Sequence, residues 1–519
     1  MSQYLAGVDV GTNGARCLIF DLAGRPVAGH YCEYGASYPQ PGWVEQDANL
    51  LIARTREACR QAIGRWGGDP RQIAAVGFSA QRSVTCLIDA GGSPVRPLFS
   101  WQDARTGEQV ERLRQVISAD EYYAQNGLPL GTTWIITKLL WMREHEPEQF
   151  ERTARVVQNQ DLVLRAFGAD DYYTDRCCAV FYGVWDIHRA TWNQPLLDRL
   201  GLCSELFGRP TAPGTQVGTI GRSVAEQTGF APGTPLCLGA GDQNCSVLGM
   251  GAVQPGLATV TLGTAGLAIL ATARPVNGFG GMMITHHAAP GMWQVEGLSN
   301  AAAASLRWFR DLFPPGCWQR EGPEVGDAYQ QLDQLASRVP PGGRGLLFLP
   351  YLATAASPHW NADARAAFVG LSFAHGRAEM ARAVMEGVAL EIRDMLQQWR
   401  DAGLDADSFR IGGGATRSKL WNQIQADIYG RPVETLKVSE STGLGAALMG
   451  GVGAGPFGSI QEAVEALVHV DQRIDPRTDH RARYEDLYHA YTQVYRGLDT
   501  SGAFAGLARI QAAAANPPQ

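Results

Sequence analysis

Asp242 stands in the run Leu238-Gly-Ala-Gly-Asp-Gln-Asn-Cys245, directly after an apolar, strand-like segment whose glycines leave room for a ligand. A carboxylate there has two chemical uses. Beside a hydroxyl and a magnesium nucleotide it can accept the proton as the oxygen attacks phosphorus; otherwise it caps the helix that follows. Trp101-Gln-Asp-Ala-Arg105 places an aromatic ring, two polar side chains and a cation together. That set suits a polyhydroxylated ligand, and it equally suits a solvated turn. In Gly11-Thr12-Asn13-Gly14 the glycines permit positive φ and let backbone N–H groups approach oxygens that a Cβ would block, which is how a turn holds phosphate. Thr12 adds a hydroxyl and Arg16 a charge. Asp9, just before the turn, would then lie beside phosphates, where a carboxylate is tolerable if a hydrated Mg²⁺ lies between them. Gly263-Thr264-Ala265-Gly266 forms a second such turn. Gly412-Gly413-Gly414, ahead of a helix start, can seat phosphate or a flat base, or can merely pack helix on strand.

The elements that position these residues read as α/β order. Tyr4 to Val10, the first glycine turn, and Ala15 to Asp21 read as strand, turn, strand. Leu257 to Leu262, the second turn, and Leu267 to Ala273 repeat the plan about 250 residues later. Two related halves follow from that repeat. We place an N-terminal domain at 1–250, a C-terminal domain at 251–485 and a helical tail at 486–519. Strand-like runs at Ile73 to Phe78, Pro235 to Leu238 and Gly345 to Leu349 alternate with helical patterns. Met380, Val384, Val388, Ile392, Leu396 and Trp399 mark one buried helical face. Ser418 is a plausible N-cap for a helix carrying Leu420, Ile424 and Ile428 and stopped by Gly430. Tyr488, Tyr491 and Tyr495 carry helical spacing into a tail ending in AAAANPPQ, which we give no chemistry.

A chain of 519 residues exceeds what one hydrophobic core usually supports, so a cleft between two domains is the natural site. The net charge of −7 opposes a nucleic-acid footprint. No stretch reaches the roughly 18 apolar residues that a membrane helix needs, and the chain reads as cytoplasmic. Ten scattered cysteines without a CxxC pair offer neither a zinc nor a disulfide framework.

These pieces resemble the FGGY carbohydrate kinases, the family of xylulokinase and glycerol kinase, over nearly the whole chain. The most specific element is Ala366-x-Phe368-x-Gly370-Leu371, seven residues, then Glu379-Met380-x-x-Ala383-Val384-Met385-Glu386, which fits the family's second signature at every defined position. Asp9-Val-Gly-Thr12, Trp101-x-Asp103-x-Arg105, Lys138-Leu-x-Trp141, Gly241-Asp242-Gln243-Asn244, Leu262-Gly-Thr-x-Gly266, Phe348-Leu-Pro-Tyr351, Gly412-Gly-Gly-Ala415 and Gly443-Leu-Gly-Ala-Ala447 support it. The resemblance implies two actin-like, ribonuclease-H-like domains with ATP and Mg²⁺ between them and a sugar in the first. By position, Asp242 would be the general base, with Asp9 and Asp242 on the magnesium side. Gly11, Thr12, Asn13 and Arg16 would form the first phosphate loop, and Gly263 and Thr264 the second. Gly413, Gly414 and Ser418 would border the adenosine; Gln81, Arg82, Trp101, Asp103 and Gln243 would line the substrate site.

The expected partner is a small sugar or polyol, with a ketopentose such as xylulose first, and no nucleic acid or membrane; a homodimer is the assembly to test for. Another polyol, an autoinducer-type sugar and glycerol are the alternatives. Glycerol is disfavoured because Ser83, Thr133 and Leu267 replace the glutamate, tyrosine and phenylalanine of glycerol kinases. The loop after Tyr351, Ala-Thr-Ala-Ala-Ser-Pro, and Ile135 also depart from the family pattern. Outside this class, a sugar-independent actin-like ATPase would share the fold, and a sugar sensor would need a DNA-binding element that neither end of the chain suggests.

Overall fold

Strand β1 (Tyr4–Val10) turns through Gly11 into β2 (Gly14–Asp21), and β3 (Pro26–Glu33) completes an antiparallel meander. The structure is a computed structural model that describes residues 3–276, 281–313 and 327–515. Helix α1 (Ala48–Trp66) begins where the Asp47 carboxyl accepts the Leu50 N–H and ends at Gly67, with φ of 66°. Its Leu51, Ala58, Ala62 and Ile63 recur at helical spacing and bury one face against β2 and β3. Strand β4 (Ile73–Ala80) lies parallel to β1. Strand β5 (Gln216–Thr219) forms an antiparallel edge against β6 (Pro235–Gly241), which runs parallel to β4 and leads directly into α2 (Asp242–Gly249). The sheet order is β5-β6-β4-β1-β2-β3.

The second half repeats this core. Strand β7 (Leu257–Leu262) turns into antiparallel β8 (Gly266–Thr272), and a further hairpin, β9 (Met283–His286) and β10 (Trp293–Ser299), extends the sheet beyond β8. Helix α3 (Arg377–Asp401) buries Val384, Val388, Ile392, Leu396 and Trp399, the face its periodicity predicts. Strand β11 (Ser408–Gly412) is parallel to β7, and α4 (Lys419–Tyr429) starts at Ser418 and stops at Gly430 as expected. Strand β12 (Val433–Leu436) continues the parallel set and β13 (Val470–Ile474) closes the order β9-β10-β8-β7-β11-β12-β13. Both glycine turns therefore join an antiparallel hairpin whose first strand carries the parallel strands.

Between β12 and β13, α5 (Ser441–Ala454) leaves its own half and packs on the first sheet and on α2. Helix α6 (Arg481–Thr500) fulfils the tyrosine periodicity by burying Tyr484, Tyr488, Tyr491 and Tyr495. Tyr484 and Tyr488 donate to Glu386 (2.9 Å) and Asp394 (2.8 Å) of α3, so the tail is a strap on the second core. Residues 516–519, the end of that tail, lie outside the described residues. Among the described residues nine cysteines are free, eight of them buried, and no helix is long and apolar enough to cross a membrane.

Candidate active site

Strands β1, β4 and β6 lie side by side in parallel, with Val10 opposite Ala80 and Ala80 opposite Gly241. Whatever follows these residues must emerge at one edge, the carboxyl edge where open α/β sheets bind ligands. The chain there supplies Gly11–Gly14 after β1, Gln81 and Arg82 after β4, and Asp242 after β6. Gln81 N–H closes the edge by donating to Val10 O at 2.9 Å.

At that edge lies a cavity of about 250 Å³. Six of its lining residues were expected on sequence grounds: Thr12, Gln81, Arg82, Trp101, Asp242 and Gln243. Ala265 of the second glycine turn lines it too, so both turns face one space. Trp101 is fixed by its Nε1–H, which donates to Thr12 Oγ1 at 3.1 Å. Gln81 donates through Nε2 to Gln46 Oε1 (2.9 Å), and Gln46 in turn to Thr12 O (2.7 Å). The Gln81 Oε1 is left buried without a partner, an acceptor waiting for a hydroxyl. Asp242 does not cap α2. Gly241 holds the N-cap position, and the Asp242 carboxyl takes the adjacent Gln243 N–H (2.8 Å) while lining the cavity.

In the first turn Gly11 N–H donates to Gly14 O at 3.0 Å, and the Asn13 carbonyl accepts from Tyr34 and Gly35 N–H at 3.0 and 3.1 Å. With those carbonyls turned inward, the Thr12 and Asn13 N–H groups have no partner among the described residues. The second turn is held by Gly263 N–H on Ala265 O (3.0 Å) and by Ala303 N–H on Gly263 O (2.9 Å). Gly413, at φ of 86°, lies against the end of β7; a Cβ there would come within 2.4 Å of Leu262 O. This close approach sets the β11 exit beside the second turn. Gly414 has open space where its side chain would be. Ser418 Oγ accepts the Trp421 N–H (2.9 Å) and donates to Asp333 (2.8 Å), so its hydroxyl is committed to the fold.

Charge concentrates at Asp9 and Asp242. Asp9 is pushed up to about 7, first by burial and then by the negative charges of Asp242 and Glu440, against the opposing Arg16. One of its oxygens is buried without a partner. The Asp242 carboxyl is also raised by burial, with Arg82 pulling the other way. Arg16 is itself held by Glu440, the residue that opens α5. Two half-buried, mutually repelling carboxyls ask for a cation. Among the described residues no cluster of three or more His, Cys, Asp or Glu could hold a metal alone, so a cation here needs oxygens from a ligand or water.

Asp103 corrects one expectation. It does not line the cavity: its carboxylate is buried behind Trp101, gripped by Arg105 (2.7 to 3.0 Å) and by the Val44 N–H (2.7 Å), with the Lys138 ammonium 3.7 Å away. Lys138 is lowered to about 8 by burial, which Asp103 partly offsets. The Trp-Gln-Asp-Ala-Arg cluster thus divides, its tryptophan facing the cavity and its ion pair lying outside the lining. Phe181, Met283 and Trp360 line the cavity without having been foreseen, and Glu296, which does not reach the cavity, holds Arg82 from behind. Only Trp360 carried a sequence signal, since it follows the loop that departs from the family pattern.

Two like sheets, each with a glycine turn facing a shared cavity, make up the cleft of the actin-like phosphotransferases. The chain belongs to the FGGY family of carbohydrate kinases: residues 4–249 match that family's N-terminal domain and 258–454 its C-terminal domain. Over 499 residues it is 26% identical to the xylulose kinase of Staphylococcus epidermidis (96% of this chain, 97% of the relative). It is 31% identical to the glycerol kinase of Nitratidesulfovibrio vulgaris (94% and 97%) and 31% identical to an autoinducer-2 kinase of Salmonella paratyphi A (95% and 94%). The solved xylulose kinase from Rhodospirillum rubrum superposes with a TM-score of 0.86 at 27% identity, covering 96% of this chain and 99% of that one.

Proposed function

We propose that the protein transfers the γ-phosphate of ATP to a hydroxyl of a ketopentose such as xylulose, with Asp242 as the general base. The observation that carries this reading is the place of Asp242: on the cavity wall, free of capping duty, at the strand edge from which the first glycine turn also springs. Gln81, with its unpaired carbonyl, Gln243 and Trp101 would orient the sugar. The free N–H groups of Thr12 and Asn13, with Gly11, Arg16, Gly263 and Thr264, would cradle phosphates. Gly413, Gly414 and the Ser418 helix start would border the adenosine.

Asp9, with its orphaned oxygen, fits a magnesium ion bound together with the triphosphate. Bound Mg²⁺ would offset phosphate charge as the bond to the leaving oxygen breaks. The residues themselves do the rest. They align donor and acceptor and exclude water, which supplies most of the acceleration in phosphoryl transfer. Because Asp9 sits near pH 7 in the free protein, magnesium-dependent nucleotide affinity should weaken as pH falls through about 7, where the carboxyl gains a proton and loses its charge. Nucleotide titrations with and without Mg²⁺, one unit either side of that value, check this. A magnesium effect that stays constant across the range would contradict it.

The substrate test is a coupled ATP-consumption screen over ketopentoses, pentitols, glycerol and autoinducer-type sugars. Xylulose turnover is the expected result, and a silent ketopentose panel would discard it. An autoinducer-type sugar is the second reading, favoured by the apolar flank of Leu267, Met283 and Leu298. Glycerol is less favoured: the Ser83 hydroxyl is turned onto Thr133 O at 2.6 Å, and Leu267 offers no hydrogen bond. ATP use that ignores every sugar would point instead to an actin-like ATPase.

A further inference from the structure

An arginine in a sugar pocket is ordinarily the group that grips an acid. Here its fork is already filled. The two terminal nitrogens of Arg82 meet the two oxygens of Glu296 at 2.8 Å each, while Nη1 also faces Asn244 Oδ1 at 3.5 Å and Nε faces Asp242 at 3.7 Å. The guanidinium plane is fixed over the Phe181 ring, 4.4 Å from its centroid.

Glu296 comes from β10 of the second half and is fully buried. Thr285 Oγ1 (2.6 Å) and Gln294 Nε2 (2.9 Å) complete the shell around its Oε1. A parallel, two-bond fork is the strong form of an arginine–carboxylate contact. A carboxylate buried this deeply is tolerated because it is so paired.

The consequence for ligands is electrostatic. Among the described residues only two charged side chains line the cavity, Arg82 and Asp242. With Glu296 cancelling Arg82, the charge a ligand feels is that of Asp242, and no free donor fork remains. A carboxylate entering there would meet a like charge and lose its own hydration without replacement.

We propose that Glu296 sets the charge class of the substrate: reaching across from the second half, it fills and neutralises the Arg82 fork, so that the pocket takes neutral polyhydroxylated molecules and rejects sugar acids. The inference rests on the sugar-kinase reading above. Glu296 acts through Arg82 and is a positioning residue.

Glu296→Gln keeps length and volume but presents an NH₂ to one guanidinium nitrogen, donor against donor. The fork is then released toward the cavity with its charge uncompensated. ATP consumption of wild type, Glu296→Gln and Glu296→Asp is measured with xylulose and other neutral ketoses, and with gluconate as the acid. Wild type should use a neutral sugar and turn gluconate over far more slowly, at a rate still measurable with high enough ATP and enzyme concentrations. In Glu296→Gln the ratio of kcat/KM for neutral over acid should fall by at least about tenfold, while Glu296→Asp, which keeps the charge, retains the neutral preference.

Two results would overturn the inference. One is gluconate turnover by wild type matching that of its best neutral sugar, which needs no variant at all. The other is an unchanged ratio in a Glu296→Gln protein whose thermal unfolding shows it folded. Silence of wild type toward every sugar, neutral or acid, would instead overturn the kinase reading and this inference with it.

Discussion

Asp242→Asn is expected to lower phosphoryl transfer by about 10²- to 10⁴-fold, the usual contribution of a general base, while nucleotide binding stays at the wild-type level. The substitution is nearly isosteric. An asparagine oxygen can still accept the Gln243 N–H that Asp242 accepts at 2.8 Å, so the start of α2 should hold. Arg82 would lose only a 3.7 Å contact and keep its fork on Glu296. What disappears is the ability to take a proton. Burial raises the Asp242 carboxyl above the ordinary aspartate value, which makes it a stronger acceptor for a sugar hydroxyl than an exposed aspartate would be. The measurements are kcat from coupled ATP consumption with the best sugar found, and nucleotide affinity by calorimetry. Turnover near the wild-type rate would remove Asp242 from the reaction. Loss of nucleotide binding alongside turnover would assign it a structural or cation-holding role.

The parts of this site legible in the sequence are those fixed by local chemistry. A glycine turn between two strand runs needs only its neighbours to form, and both turns lie where their residues placed them. Ser418 caps α4 because Ser418 and the Trp421 N–H are three residues apart, a relation any local reading contains. Asp242 was a cap or a base on its own evidence; the capping alternative fell only when Gly241 was seen in the N-cap position. Glu296 was invisible because its meaning is its partner, and Arg82 lies 214 residues away. A lone glutamate in Trp293-Gln-Val-Glu-Gly-Leu-Ser299 carries no sign that it will be buried against an arginine of the other half. Asp103 misled for the same reason. The run Trp-Gln-Asp-Ala-Arg is compatible with a ligand wall or an internal ion pair, and the distant Lys138 and Val44 decided for the latter.

Gly77→Ala is expected to be among the most destabilising single substitutions in the first sheet, by at least about 3 kcal/mol, the upper end of what overpacking costs. Gly77 lies in β4, beneath α5. Its Cβ would fall 1.8 Å from Ala446 O, 2.8 Å from Ala446 C and 3.0 Å from Gly450 N, all backbone atoms of α5. No rotamer change can relieve such contacts, so the helix would have to lift. It cannot lift freely, because its other side is equally close to α2: a Cβ on Gly445 would meet Cys245 O at 1.8 Å. Lifting α5 also reaches the active site. Its first residue, Ser441, shares a 2.8 Å hydrogen bond with Ser246 of α2, and Glu440 just before it holds Arg16 beside Asp9. Gly77→Ala should therefore lower the thermal unfolding midpoint and raise the KM for nucleotide together. Gly64→Ala is the control, on an exposed turn of α1 with no atom within 4 Å of the new methyl; there the helix should gain up to about 1 kcal/mol. Unfolding of Gly77→Ala indistinguishable from wild type would mean that α5 is not wedged between the sheet and α2, and that the second half reaches the nucleotide cleft by some looser attachment.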